Sequence, residues 1–444
     1  MDYSLLWAVV AGVALLLTLI LLVRLHAFLA LLISSIAVGL LAGLSTEEVI
    51  VTVQTGMGGV LGFVATVVGL GALFGAILEH SGGAQTVARS LLGAFGERRA
   101  PSAMALAGFL IAIPVFFDVA FIILIPMLYS LQRRTGKSLL LYAIPLLAGL
   151  AATHAFIPPT PGPIAVADIL GASLGYVIGI GFLVGIPTVL VSGVWFGRFV
   201  ANRIHVAAPE IEPVASDAVA LPPIGLVLAI IGLPIFLILL STSVSGGFLT
   251  VPTGIAALIN LVGHPFVALI LANLLAWWLL GLARGYTRQQ LLDISTKSFA
   301  PAGTIILLTG AGGVFKQVLV DTGAGKLLAE SLTELGFPVL LFAFLAAALV
   351  RIIQGSATVA MITAASLAAP LLIGDYSEPQ LACLVIAIAS GASILSHVND
   401  SGFWLVGQYL GISEAKTFRS WTMMTTLLAL SGLACVSLVW LFVG

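Results

Sequence analysis

Two ionisable side chains stand where the sequence is otherwise apolar: Asp118 in FFDVAF (116–121) and Arg351 in ALVRII (348–353). Desolvating a carboxyl group works against its charge, so Asp118 is a candidate to bind a proton in one state and release it in a wetter one. Held by hydrogen bonds to nearby backbone, it would instead be structural. Arg351 offers a planar fork of donors that matches a carboxylate. Its other reading is an ion pair, to Asp118 or Asp400, that only holds two segments together. Ser356 and Thr358 follow within a few residues and can bond hydroxyl groups or cap a helix.

A second group is defined by broken chain. His154 precedes Pro158-Pro159-Thr160-Pro161-Gly162-Pro163, and His397 precedes Val398-Asn399-Asp400-Ser401-Gly402. Proline lacks a backbone donor and interrupts helices, so a break is expected at 158–163. Backbone groups freed at such a break can hold a polar ligand, with Thr160 and Asn399 beside them. Imidazole titrates near neutrality, so both histidines are candidates for a proton relay or for helix-to-helix hydrogen bonds.

The elements that position these residues are set by an apolar solvent. The chain has 444 residues, 60% of them hydrophobic and 8% charged, with a mean hydropathy of +1.21. Soluble domains carry roughly 25% charged residues, so lipid must be the solvent for much of this surface. Net charge is −1, which argues against nucleic acid as a partner. Cys383 and Cys435 both lie in apolar runs and make neither a disulfide framework nor a metal site. The start, Met-Asp-Tyr-Ser, lacks a basic n-region, so the first apolar run is expected to stay as a span.

Apolar stretches able to cross a core of roughly 30 Å fall at 4–23, 27–43, 57–79, 138–172, 174–200, 222–243, 252–282, 298–320, 380–411 and 420–443. With both termini outside, every Lys and Arg except Lys316, Lys326 and Arg351 falls on the cytoplasmic side, as the positive-inside rule asks. The same rule makes 102–131 a re-entrant hairpin, because Arg98 and Arg99 precede it and Arg133, Arg134 and Lys137 follow it. Pro114 supplies its break, with Asp118 at the tip. Stretch 337–371 has acidic flanks, Glu330 and Glu334 before and Asp375 and Glu378 after. It reads as a hairpin from outside, broken at Gln354-Gly355-Ser356. Non-helical backbone at membrane depth is tolerated only beside protein or a water-filled cavity.

The chain also repeats itself. Gly69, Gly71, Phe74, Leu78, Gly82, Ala88, Ser90 and Leu91 recur as Gly310, Gly312, Phe315, Leu319, Gly323, Ala329, Ser331 and Leu332. Further on, His154, Gly162, Leu170, Gly171 and Ser173 recur as His397, Gly402, Leu410, Gly411 and Ser413. The expected fold is therefore an all-α polytopic membrane protein of two repeats, 1–200 and 222–444, joined by a cytoplasmic linker at 201–221. Each repeat holds five spans plus one re-entrant hairpin; an odd span count inverts one repeat against the other. Inverted repeats with interrupted helices are a secondary-transporter architecture, with the site near the midplane.

Four strings, THAFIPPTPGP (153–163), GAGGVFKQVLVDTG (310–323), RIIQGSATVA (351–360) and SHVNDSGFWL (396–405), resemble the gluconate permease family of gluconate:proton symporters, and the likeness runs over essentially the whole chain. The family also includes D-serine and other sugar-acid carriers. Arg351 and the His397-to-Asp400 run are more similar to the gluconate branch, and Asp118 stands where many relatives carry Glu. The resemblance implies a gluconate-like organic anion and protons as partners in the inner membrane, without a cofactor. On that reading Arg351, Ser356, Thr358, Thr160, His154, His397 and Asn399 would meet the substrate, and Asp118 or Asp400 would carry the proton. Sodium coupling, a D-serine or small hydroxy-acid substrate, and a homo-oligomeric state stay open.

Other motifs fail on context. Gly171-Ala172-Ser173-Leu174-Gly175 fits a nucleophile pattern but lacks the strand-to-helix turn that an elbow needs. Gly325-Lys326 lacks the first Walker glycine and a following Ser or Thr. The Gly69–Gly75 and Gly310–Gly313 clusters read as helix-packing surfaces, and Lys316 and Asp321 as structural. A membrane-embedded hydrolase has no nucleophile–base pair here, and a passive channel no ring of like charge.

Overall fold

The computed structural model describes residues 3–209, 221–323, 338–372 and 376–443. The centre of the expected linker, with Glu210, Glu212, Pro213 and Asp217, lies outside the described residues. So do Lys326, Ala329, Glu330, Ser331, Leu332, Glu334 and Asp375. Everything described is helix or connection, with no strand among the described residues. In chain order the helices are α1 (Tyr3–Leu21), α2 (Ala27–Leu41), α3 (Thr46–His80), α4 (Gly83–Phe95), α5 (Ala100–Ile111) and α6 (Phe117–Thr135). There follow α7 (Leu140–Phe156), α8 (Pro161–Leu170), α9 (Leu174–Ala201), α10 (Ile224–Ser245), α11 (Thr253–Val262) and α12 (Pro265–Arg284). The last six are α13 (Arg288–Asp321), α14 (Val339–Gln354), α15 (Ala357–Ala368), α16 (Glu378–Gly391), α17 (Ser401–Leu410) and α18 (Glu414–Val443).

α3 and α13 form the central crossing. At 35 and 34 residues each measures about 50 Å at 1.5 Å per residue, more than a bilayer core needs. Both start with a reciprocal capping box, Ser45 with Glu48 and Thr287 with Gln290, which ties off the first free N–H groups. They touch backbone to backbone: a Cβ on Gly313 would meet the Gly56 carbonyl oxygen at 2.6 Å, and one on Gly56 the Gly313 oxygen at 2.8 Å. Only glycine lets two helices approach so closely, and in lipid this packing substitutes for a hydrophobic driving force.

Four helices that the hydropathy alone would draw as two spans are broken. Between α7 and α8 lie Ile157, Pro158, Pro159 and Thr160; between α16 and α17 lie residues 392–400. The stretch around Pro114 breaks at 112–116, and the one around Gly355 breaks at Gly355-Ser356, where Gly355 takes φ +89°. The far ends of the first of these meet: Arg134 Nε lies 2.8 Å from Glu97 Oε1. α14 and α15 lie along each other.

One expectation is corrected. Segment 252–282 is not one span. α11 stops at Val262, Gly263 and His264 turn the chain, and His264 Nδ1 accepts from Phe266 N (3.3 Å) as Pro265 opens α12. α11 has 10 residues, about 15 Å of helix, too short to cross. Asp118 stands in the first turn of α6, directly after the break at 112–116, with its side chain exposed. The described residues contain seven helical stretches long and apolar enough to cross a membrane, with shorter apolar helices beside them.

Candidate functional site

Four helices begin around one cavity of about 450 Å³. α6 starts behind Phe116, α8 behind Thr160, α15 behind Ser356 and α17 behind Asp400. Each start carries the positive end of a helix dipole, and all but α8, whose Pro161 and Pro163 lack an N–H, present several first-turn N–H groups with no intrahelical partner, so the cavity is polarised to receive an anion. Phe116 and Thr160 make no side-chain cap, leaving those first turns to other partners.

Arg351, on the last turn of α14, is the one cation lining this cavity among the described residues, and it is 5% exposed. Its Nη2 donates to Asp400 Oδ2 and its Nη1 to the carbonyl of Gly355; its Nε has no partner among the described residues. Asp400 accepts further bonds from Ser396 Oγ and, through Oδ1, from the backbone N–H of Gly402 (3.1 Å). Ser396 is itself fixed by α18. Trp421 Nε1 donates to its hydroxyl (2.6 Å), Thr422 Oγ1 donates to its carbonyl (2.5 Å), and its N–H donates to Thr425 Oγ1 (3.2 Å). An unbroken polar chain thus runs from α18 through residues 392–400 to the tip between α14 and α15.

The cavity brings together Asp118, His154, Arg351, Ser356, Thr358, Asn399 and Asp400. His154 is half-buried, with Nδ1 unpartnered and its ring edge-on to Phe116. Ser356 caps α15 by accepting from Val359 N (3.3 Å), and Gln354 Oε1 accepts from Ser356 N (2.8 Å). Asn399 donates from Nδ2 to the carbonyls of Ile352 (3.0 Å) and Ile353 (3.1 Å), closing the exposed end of α14.

Two expected substrate contacts fall outside the lining. Thr160 is buried and its hydroxyl donates to the Ile157 carbonyl at 2.6 Å. His397 Nε2 lies 2.8 Å from the Ile352 carbonyl; a carbonyl only accepts, so that nitrogen carries the proton and the bond ties residues 392–400 to α14. Lys316 Nζ donates to the Ile169 carbonyl at 2.5 Å, at the end of α8. Asp321 accepts from Thr52 Oγ1 and Gln317 Nε2, both at 2.7 Å.

Gln354, Ser393, Ser401, Trp421 and Thr425 also line the cavity, and sequence reasoning did not single them out. Trp421 sits in a π-helical stretch, Phe418–Thr422, a distortion that turns residues toward functional sites but leaves no mark in hydropathy. A larger crevice of about 670 Å³ lies at the other ends of α8 and α10. Among the described residues it is lined by Asp168, His264 and Glu378 with no Lys or Arg, and the nearby Lys316 is engaged with the Ile169 carbonyl beside Asp168.

The family model for GntP family permeases matches residues 3–443. The low-affinity gluconate transporter of Escherichia coli K12 is 43% identical over 428 residues, covering 95% of each chain. A gluconate permease of Pseudomonas aeruginosa is 41% identical, covering 94% of this chain and 93% of its own. The crystal structure of the Alcanivorax borkumensis YdaH transporter shares the fold, with a TM-score of 0.66 at 15% identity, over 94% of this chain and 98% of that one. These relatives are permeases rather than enzymes. The polar cavity among broken transmembrane helices and the match along nearly the whole sequence lead to one assignment: the chain belongs to the GntP permease family.

Proposed function

We propose that this permease takes up gluconate, or a closely related sugar acid, together with protons across the inner membrane. The observation that carries the reading is Arg351, a buried cation at the meeting point of four helix N-termini. A monocarboxylate suits that fork. Its hydroxyl groups would face Ser356, Thr358, Gln354, Ser393 and Asn399. The gluconate transporters of Escherichia coli and Pseudomonas aeruginosa, at 43% and 41% identity, support the substrate class.

The carboxylates Asp118 and Asp400 line the same cavity and are the proton-binding groups of this proposal. One proton per monoanion makes the step electroneutral; each further proton adds about 2.3 kcal/mol per 100 mV.

The inverted repeat, the two re-entrant hairpins and a cytoplasmic linker between repeats belong to the same proposal. Arg134 meeting Glu97 at 2.8 Å supports a hairpin that leaves and returns on one side. The cavity rim is formed by exposed residues at the starts of α6 and α17, Asp118 and Ser401. Both helices run toward basic residues, Arg133 and Arg134 or Lys416 and Arg419, so the cavity opens to the cytoplasm. At the opposite side α8 and α15 pack on each other and on the α3–α13 crossing: a Cβ on Gly162 would meet Met361 Sδ at 2.9 Å, and one on Gly312 would meet Ile362 Cγ2 at 2.6 Å.

The test is uptake of labelled gluconate into proteoliposomes under an imposed inward proton gradient, with and without a proton ionophore. Accumulation abolished by the ionophore is expected. Accumulation that survives the ionophore but fails when choline replaces sodium would reassign the coupling ion. Uptake of D-serine or a small hydroxy acid in place of gluconate would reassign the substrate.

A further inference from the structure

We infer that Asp400 and the carboxylate of the transported anion are alternative partners for one edge of Arg351, and that a proton on Asp400 permits the exchange. The inference rests on the reading that this cavity takes a sugar-acid anion.

The geometry of the guanidinium carries it. Nε and Nη2 lie on the same edge of that plane, the edge that receives a carboxylate with two parallel N–H bonds. Nη1 is committed to the Gly355 carbonyl at the tip. Nη2 is held by Asp400 Oδ2, and the adjacent Nε is buried with no partner among the described residues. That edge therefore keeps Nε–H unused beside an Nη2 already engaged by Asp400. An entering carboxylate that takes the edge binds Nη2 alongside Asp400 and competes with it for the same positive charge.

Charge then decides what Asp400 must do. The charged and titratable groups lining the cavity are Asp118, His154, Arg351 and Asp400. His397, three residues before Asp400, is turned away onto the Ile352 carbonyl. With both acids ionised the cavity holds two carboxylates against one guanidinium. A substrate anion arriving without a proton would make a third, and would compete with half-buried Asp400 for the one cation that pairs with it among the described residues. A buried charge left without its partner is strongly disfavoured. Protonation of Asp400 removes that penalty and releases Nη2, and the substrate carboxylate takes the freed edge. The loaded cavity then has the same net charge as the empty one, so either form can cross. Asp118 cannot do this: it makes no bond to Arg351, and protonating it leaves the Arg351–Asp400 pair closed.

Ser396 makes the device testable. Its hydroxyl donates to Asp400 Oδ2, a contact that protonation of that carboxyl must rearrange, and it does not line the cavity. Removing it should move the pH dependence of binding without removing a substrate contact.

The experiment measures gluconate binding to purified protein between pH 5 and 9, with proton uptake followed in weak buffer. In the wild type one proton is taken up per gluconate, and affinity falls by up to about tenfold per pH unit on the alkaline side. Asp400→Asn should bind gluconate with no pH slope and no proton uptake, and should retain gluconate–gluconate exchange while losing proton-driven accumulation. Ser396→Ala should shift the pH of half-maximal binding upward; a purely structural serine would weaken binding equally at every pH. An Asp400→Asn protein that still takes up a proton with gluconate overturns the inference and moves the role to Asp118. If Asp400→Asn does not fold, an unmoved profile in Ser396→Ala overturns it instead. Wild-type protein that binds no gluconate at any pH sinks the substrate reading itself, a separable result.

Discussion

The carbonyl oxygen of Asn399 lies 2.2 Å from the point where a Cβ on Gly355 would stand, and the Asn399 carbonyl carbon lies 2.7 Å from it. The tip between α14 and α15 is therefore seated against the unwound chain before α17 with no room for a side chain. Gly355 is also left-handed, at φ +89°, a region that costs an L-residue roughly 1–2 kcal/mol. Gly355→Ala combines strain with a collision against backbone, which cannot rotate aside. Uptake per inserted protein should fall by more than about tenfold, the effect of a barrier raised by 1.4 kcal/mol. Gly179→Ala, which faces open space on α9, is the matched control. Normal uptake in Gly355→Ala would mean that this contact opens freely during the cycle.

The same joint is held from the other side by His397 and Asn399, which both reach the Ile352 carbonyl (2.8 and 3.0 Å). That carbonyl belongs to the last turn of α14, where no intrahelical donor is available. His397→Ala should therefore lower thermal stability by about 1 kcal/mol, the net worth of one such bond. Its KM for gluconate should stay near the wild-type value, because the ring does not line the cavity. A KM raised tenfold at unchanged stability would return His397 to the binding site.

How far the sequence carries can be judged from these residues. Proline and glycine mark helix breaks through backbone chemistry alone, so the interruptions at 158–160, at Pro114 and at Gly355 are legible in one dimension. The turn at Gly263-His264-Pro265 uses the same chemistry but is hidden inside unbroken hydropathy. Side-chain direction is not legible at all. His154 and His397 occupy matching places in the sequence pattern, yet one ring lines the cavity while the other bonds α14. The Arg351–Asp400 pair was one of two pairings that composition allowed, and choosing between Asp118 and Asp400 took the three-dimensional register of α6 and α17. Trp421 and Ser396 offered no signal, because their roles come from a π-helical turn and a hydrogen bond across 25 residues of chain.

Arg351 and Asp400 should behave as a unit in stability and separately in binding. Losing one partner of a buried pair typically costs about 3–5 kcal/mol, whereas replacing both can be nearly neutral. Arg351→Gln and Asp400→Asn should each lower the melting temperature, and the double variant should recover much of the loss. Gluconate should stabilise Asp400→Asn more than the wild type, since it re-pairs a lone guanidinium. It should not stabilise Arg351→Gln or the double variant. Thermal melts with and without gluconate separate these outcomes, and additive losses in the double variant would show that the two side chains do not depend on each other.

The opening of the cavity makes a prediction about sidedness. Ser401 is exposed at the rim, whereas Ser366 is fully buried on α15, where a Cβ on Gly312 of α13 would meet its hydroxyl at 2.8 Å. The two native cysteines, one buried and one half-buried, can be replaced by serine and alanine to give a silent background. In that background Ser401→Cys should react with a membrane-impermeant maleimide in inverted vesicles and not in intact cells. Ser366→Cys should resist the reagent from both sides in the resting protein. Gluconate with an inward proton gradient should slow labelling at position 401, because a cycling carrier spends less time open to the cytoplasm. It should begin to expose position 366 to reagent applied outside, because the contacts of α15 with α8 and α13 must part for substrate to enter. Faster labelling of position 401 from outside than from inside would reverse the orientation drawn from the basic residues, and with it the side on which α8 and α15 form the seal.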